Sequence, residues 1–151
     1  MDAVTYSNKA VIDFINANMI PVRVPHDQRP LAEEFKVKWT PTLITLDVDG
    51  TEKHRTVGFL PPEELIPSLM VGIGKGNLER SEFAQAIDRF QELISKYPKS
   101  SFAPEAVFFL GVAQYQSTHD PKFLRKIYDT LASKYPQSDW TKRASPYSSV
   151  K

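Results

Sequence analysis

The chain is predicted to be a small α/β unit, with a mixed sheet and flanking helices, followed by an all-α region of repeated helices. Three observations predict this. Trp39-Thr40-Pro41 leads directly into the β-rich apolar run Thr42-Leu43-Ile44-Thr45-Leu46, which closes on an Asp49-Gly50 turn. An eleven-residue segment beginning at Phe90 recurs at Tyr128. With 41% hydrophobic and 11% aromatic side chains, 151 residues can bury one modest core or two small ones sharing a boundary. Net charge is +1, split as −2 over residues 1–75 and +3 over residues 76–151, so nothing asks for a nucleic-acid partner. No apolar run approaches the roughly 20 residues of a membrane helix, and the N-terminus lacks a signal-like apolar core. The expectation is therefore a soluble, cytoplasmic chain without a membrane partner. It has no cysteine, which removes disulfides, thiolate nucleophiles and thiolate metal sites from these residues together.

Ser7 is the expected N-cap of a first helix over 8–17, because Ala10, Val11, Phe14 and Ile15 follow at spacings that share one face. Ile20-Pro21-Val22-Arg23-Val24 alternates β-branched residues and reads as a strand, with Pro21 restricted to its beginning or an unpaired side. Pro30 suits a first helical position, and Leu31 and Phe35 share a face, giving a short helix over 30–36. After Pro41, residues 42–47 read as a buried strand, Asp49-Gly50 as the hairpin turn and 52–57 as the returning strand. Lys53, His54 and Arg55 on that strand are the charges a sheet edge uses against pairing with other chains. Pro61-Pro62-Glu63-Glu64 opens a further helix with the buried stripe Leu65, Ile66, Leu69, Met70 and Ile73; Pro67 predicts a kink or tightened turn near 63–67.

Pro41 has no N–H and pushes Thr40 out of the helical region, which leaves the backbone of residue 40 available to another partner. A strand-edge proline accounts for Pro41 alone. Taken with Val22-Arg23-Val24 and Asp27, Leu31-Ala32-Glu33-Glu34-Phe35-Lys36-Val37, Thr40-Pro41-Thr42-Leu43, Asp47-Val48-Asp49-Gly50, His54-Arg55, Gly58 and Pro62-Glu63-Glu64-Leu65, it makes residues 1–73 resemble the thioredoxin fold after its active-site turn. The resemblance implies that Pro41 is cis and that Thr40 offers its backbone to a substrate polypeptide in strand-like pairing. Trp39, Thr40 and Pro41 are thus the candidate peptide-binding residues. It also implies that the family's first strand and Cys-x-x-Cys turn would lie before Met1, making this an N-terminally truncated version of the fold, through a late start codon, a truncated chain or a degenerate relative. No catalytic residue, metal ligand or cofactor is assigned.

Beyond Gly72 the pattern becomes helical. Phe90-Gln91-Glu92-Leu93-Ile94-Ser95-Lys96-Tyr97-Pro98-Lys99-Ser100 returns as Tyr128-Asp129-Thr130-Leu131-Ala132-Ser133-Lys134-Tyr135-Pro136-Gln137-Ser138, and the match extends through Phe102/Trp140 and Ala106/Ala144. Such a period signals stacked helix pairs that cannot bury their apolar faces alone. Phe83, Ala86, Ile87, Phe90, Leu93, Ile94 and Tyr97 give one face, Ala106, Phe109, Leu110 and Ala113 a second, and Phe123, Leu124, Ile127, Tyr128, Leu131 and Tyr135 a third. Each Tyr-Pro stops its helix, Asp120-Pro121 starts one, and Trp140 to about Ala144 is a short terminal helix. The pattern resembles tetratricopeptide-like repeats over residues 76–147, which implies an interaction surface.

Other signals weigh less. Gly72-x-Gly74-x-Gly76 follows a helix, so helix ending or close packing explains it better than phosphate binding. Asp47, Asp49 and Gly50 resemble the start of a calcium loop, but Gly58 stands where the closing acid belongs. His26-Asp27, His54 and His119-Asp120 lack a nucleophile or a paired histidine spacing. Lys122, Arg125 and Lys126 form a basic face of the kind usually left solvated.

The expected division is residues 1–75 for the thioredoxin-like domain and 76–151 for the tetratricopeptide-like repeats, with the helix over about 62–75 serving both. Two functions follow: a relative of the thiol-disulfide oxidoreductases of redox homeostasis, or a redox-inactive adaptor binding polypeptide through the Thr40-Pro41 edge and the repeats. Without a thiolate these residues do not exchange disulfides. By the resemblance, residues 20–24 and 42–47 flank an absent central strand. They are expected to close directly into a three-stranded sheet with 52–57 in a monomer, or to accept a strand from another chain, so the open sheet is also a route to self-association.

Overall fold

The structure, a computed structural model, describes residues 1–150. Helix α1 spans Lys9–Asn18, capped by Asn8 and not by Ser7. The Asn8 amide oxygen reaches the N–H groups of Ala10 at 3.0 Å and Val11 at 3.4 Å, while the Ser7 hydroxyl donates backward to the Ala3 carbonyl at 3.2 Å. Helix α2 is shorter than its sequence pattern, Leu31–Glu34, with Pro30 as its cap. It stops because Lys36 turns into the left-handed region, with φ +50°, and brings Val37 N–H back to Ala32 O. The Arg29–Pro30 and Thr40–Pro41 peptide bonds are both cis.

Strands β1 (Thr42–Leu46) and β2 (Glu52–Val57) form a two-stranded antiparallel hairpin. The expected mixed sheet and its direct closure by residues 20–24 are not formed. That segment makes no backbone hydrogen bond to any described residue: Pro21 carries no donor, and Ile20 and Val22 stand 91% and 79% exposed. The alternation that suggests a strand is present there without a ladder to complete it. Register pairs Leu43 with Thr56 and Thr45 with His54, so these four side chains share the face turned to the next helix.

That helix, α3, runs over Pro62–Glu79 and continues without interruption through a buried Pro67. Leu65, Ile66, Leu69, Met70 and Val71 join Val11 of α1 and Leu43 of β1 to residues of the two helices that follow, α4 (Phe83–Lys96) and α5 (Ala103–Thr118), in one apolar cluster. The glycine stripe is a packing device within α3 and does not end it. At Gly74 a methyl group would stand 2.6 Å from the Phe90 ring of α4. Helix α5 is apolar around most of its circumference because it is covered on both sides, by α3 and α4 and by α6 (Lys122–Lys134) with α7 (Asp139–Arg143). A short 3₁₀ turn over Ser145–Ser149 closes the chain.

The 38-residue repetition is visible in the backbone. Tyr97 and Tyr135 end α4 and α6 with nearly the same dihedrals, φ/ψ −129°/52° and −136°/52°. Ser100 and Ser138 then each accept the amide N–H two residues on, at 3.1 and 3.2 Å. Among the described residues no helix is long and apolar enough to cross a membrane.

Candidate functional site

Trp39, Thr40 and Pro41 lie together at the head of β1. The Thr42 hydroxyl donates to Trp39 O at 2.6 Å and closes a turn that leaves the indole 69% exposed. Pro41 O accepts the Gly58 N–H at 2.8 Å, and at the far end Asp47 N–H donates to Thr51 O at 2.8 Å. In an antiparallel pair alternate residues face the partner strand, so Leu43 and Thr45 direct their backbone groups to β2, as Pro41 O and Asp47 N–H do at the two ends, while Thr42, Ile44 and Leu46 direct theirs away. Thr40 makes no hydrogen bond to any described residue.

The free edge of β1 borders a groove of about 800 Å³. It is lined by Thr42, Ile44 and Leu46 of β1, by Ile20, Val22 and Val24, by Leu69, Gly72 and Ile73 of α3 and by Leu31 and Phe35 of the α2 region. Val48, almost fully exposed, marks its open end beside an ion-pair network. There Asp47 pairs with Arg80, which also holds Glu82 at 2.8 Å, while Lys53 pairs with Glu79. The Val48 N–H and then the Arg80 guanidinium hold the Asp47 carboxyl below the usual carboxylate range, and the Glu79 bond raises Lys53. The charges at this end are therefore satisfied by one another and fasten the hairpin to the end of α3.

The basic residues of β2 do not blunt an edge. Lys53 turns to Glu79; Arg55 donates to Glu52 and to Phe35 O at 2.8 Å, holding α2 against the sheet. His54 faces α3, where its Nε2 lies 3.1 Å from the Ser68 hydroxyl, and Ser68 lies 2.9 Å from that of Thr56. This histidine–serine contact resembles a nucleophile with its base, yet Ser68 is buried between α3 and β2, out of reach of a substrate. Burial holds the His54 pKa below its ordinary value; the Glu105 carboxylate opposes the shift and Lys75 adds to it. Among the described residues no buried side-chain nitrogen or oxygen lacks a hydrogen-bond partner.

The remaining candidates resolve into local structure. Asp49 accepts the Thr51 N–H at 2.8 Å within the hairpin turn, whose Gly50 has φ +82°. Asp120 caps α6 by accepting the Lys122 N–H at 2.9 Å, while His119 ends α5 in the left-handed region. Arg125 is tied to Asp129 and to Ser148 O, so one member of the basic face is committed to closing the chain end. His26 is the one histidine on the groove. The groove lies at the place between residues 20–24 and 42–47 that the resemblance leaves open in the sheet, although no site residue beyond Trp39, Thr40 and Pro41 is assigned to it from the sequence.

Residues 1–70 match a family model described as a thioredoxin-like domain. The match covers α1, α2, the hairpin and the first half of α3, and leaves α4 to α7 outside. No curated protein and no solved structure gives a significant match to the chain.

Proposed function

We propose that this chain is a thioredoxin-related adaptor that binds an extended polypeptide at the Thr40-Pro41 edge, with α4 to α7 acting as tetratricopeptide-like repeats that brace α3 and offer a second contact surface. The observation that carries this reading is the outward-facing backbone of Thr42, Ile44 and Leu46, preceded by a Thr40 without a hydrogen bond to a described residue and by an exposed Trp39. Main-chain groups arranged in that way give affinity for another strand irrespective of its sequence, and apolar side chains around them add selectivity. A thiolate is the attacking species in disulfide exchange, and these residues contain none. Binding without turnover is what the site offers.

The test is an array of immobilised twelve-residue peptides tiling an unfolded polypeptide, probed with the whole chain and with Trp39→Ala. Peptides rich in β-branched residues are expected to bind, with at least a tenfold loss on removing the indole, and the chain is expected not to accelerate insulin reduction by dithiothreitol. Binding indifferent to Trp39, or an array with no bound peptide, overturns the reading.

A further inference from the structure

We infer that the groove between α5 and α6 is a docking site for one amphipathic helix of a partner polypeptide that carries acidic residues along one flank. The inference rests on the part of the adaptor reading that gives α4 to α7 a contact surface, and it names that surface and its partner without using the Thr40-Pro41 edge.

The internal repetition points to the site. Ser81 and His119, 38 residues apart, follow α3 and end α5 in the left-handed region, with φ +60° and +57°, so α3 corresponds to α5 as α4 does to α6. In the first pair this face is covered from within the chain. Val11, Phe14 and Ile15 of α1 pack into the apolar cluster of α3 and α4, and Thr45 of β1 lies against Gly72. Arg89 sits over the Phe14 ring and donates to Asn18 Oδ1 at 3.0 Å. One repeat on, Leu110 stands in the place of Gly72 and Ile127 in that of Arg89, and both line a groove of about 420 Å³ together with Val107, Gln114, Phe123 and Thr130. Among the described residues no element lies there as α1 does in the first pair: α6 is met by α5, α7 and the closing 3₁₀ turn.

The charge of the guest follows from what differs between the repeats. In α4, Lys96 donates to Glu92 at 2.7 Å, and Asp88 stands one turn earlier. The matching positions in α6 are Lys134, Thr130 and Lys126, so two acids and a base become two bases with a hydroxyl between them. Both lysines are exposed and have no ion-pair partner among the described residues, whereas Asp129, the one acid on this rim, is held by Arg125. They are eight residues apart, about 12 Å along α6, a spacing that two acids seven or eight residues apart on a second helix match. The form of the guest follows from the walls. These are helices whose backbone groups bond internally, so a strand would bury its own donors and acceptors without partners, whereas a helix arrives with its backbone satisfied. From Phe123 to Lys134 the groove runs about 16 Å, or three turns of such a helix.

The experiment uses the whole chain and a labelled, end-capped helical peptide with leucines along one face over three turns, two glutamates eight residues apart beside them, and alanine and glutamine elsewhere. A second peptide has lysines for the glutamates, and a third has a proline at its centre that breaks the helix. Fluorescence anisotropy and amide chemical shifts are the readouts. The glutamate peptide is expected to bind and to shift the amides of Leu110, Gln114 and Thr130, and the other two to bind roughly tenfold more weakly. Lys126→Glu/Lys134→Glu, at exposed positions, is expected to reverse the preference between the glutamate and lysine peptides with the urea midpoint unchanged, and Trp39→Ala to leave all three affinities as they were. No binding of the glutamate peptide, or a preference that the charge reversal does not invert, overturns the inference, and the edge reading stands or falls on its own peptide array. Equal binding of the proline peptide overturns the helical form of the guest and with it the inference. Shifts confined to β1, with loss in Trp39→Ala, would place the peptide at the Thr40-Pro41 edge, overturning this site and supporting the edge reading.

Discussion

Gly72 of α3 faces Thr45 of β1 so closely that a methyl group on the glycine would stand 2.7 Å from the Thr45 Cβ. The neighbour is the branch point of a side chain fixed in a strand, and it cannot swing aside as the far end of a lysine would. Gly72→Ala gains up to about 1 kcal/mol of helix propensity but forces the hairpin away from α3, and overpacking of this kind costs about 1–3 kcal/mol. The expected net result is a loss of about 1 kcal/mol in urea unfolding. Partial recovery of the midpoint in Gly72→Ala/Thr45→Ala, which removes Oγ1 and Cγ2 and leaves only Cβ in the way, would tie the loss to this contact.

Lys75 and Glu105 form an ion pair between α3 and α5, with the Lys75 ammonium 4.9 Å from the centre of the Phe109 ring. Both side chains are largely buried, at 19% and 11% exposure. Glu105→Leu leaves the ammonium without its counter-charge and is expected to cost about 3 kcal/mol, the lower end of what breaking a buried pair costs, because some water still reaches Lys75. Lys75→Met/Glu105→Leu should recover most of it. A double-mutant cycle in urea checks both; additive losses would mean that the two charges do not support one another.

The elements that the sequence makes legible are those whose cause is local. Tyr-Pro after an amphipathic run, Asp49-Gly50 between two β-rich runs and a proline opening α3 each carry their own backbone instruction, and the hairpin and α4 to α7 follow it closely. Residues 20–24 show where this reasoning stops. Their alternation states a preference for extended backbone, but a strand also needs a neighbouring ladder, which no local pattern supplies. The charges of β2 fail for a related reason: Lys53, His54 and Arg55 look like edge protection until α2 and α3 bring Phe35 O, Ser68 and Glu79 to meet them. At the candidate site, Trp39 to Pro41 are visible as a motif. The groove beside them follows from no local pattern; only the resemblance, which sets residues 20–24 and 42–47 on either side of an open position in the sheet, points to it.

His54 makes stability depend on pH in a definite direction. Burial depresses its folded-state pKa, so between that value and the unfolded value of about 6.5 the unfolded chain binds more protons than the folded one. The contribution is complete above the unfolded value and is lost as pH falls through this window. The groups facing the ring are Ser68, Thr56 and Phe102, with Glu105, Lys75 and Glu52 acting through charge. His54→Gln is expected to flatten the urea midpoint between pH 7 and pH 5 relative to the wild type, while carboxylate titrations below pH 5 remain in both. Parallel curves through that interval would mean that the imidazole is not held neutral by the fold.

Glu64 joins the two halves of the molecule at a single carboxylate. From the first turn of α3 it accepts the Ser100 hydroxyl at 2.9 Å, the Ser101 hydroxyl at 2.8 Å and the Ser101 N–H at 3.1 Å, all in the turn between α4 and α5. One repeat later, the corresponding turn is fastened differently: the Thr141 hydroxyl donates to Tyr135 O at 2.6 Å, and the Tyr135 hydroxyl donates to Pro98 O at 2.8 Å, back to the first repeat. The first turn thus depends on α3 and the second on its predecessor. Hydrogen bonds to an ionised acceptor contribute about 1.5–3 kcal/mol and neutral ones about 1 kcal/mol, so Glu64→Ala should destabilise more than Tyr135→Phe, by about 2 kcal/mol against about 1 kcal/mol. The consequence for exchange is more specific than the totals. Glu64→Ala should raise amide exchange at the start of α5 and along α4, because their anchor to α3 is lost, whereas Tyr135→Phe should raise it in α6 and α7 and leave α4 protected. Uniform acceleration over all four helices in either variant would mean that the repeats open as one unit and that these fastenings do not act separately.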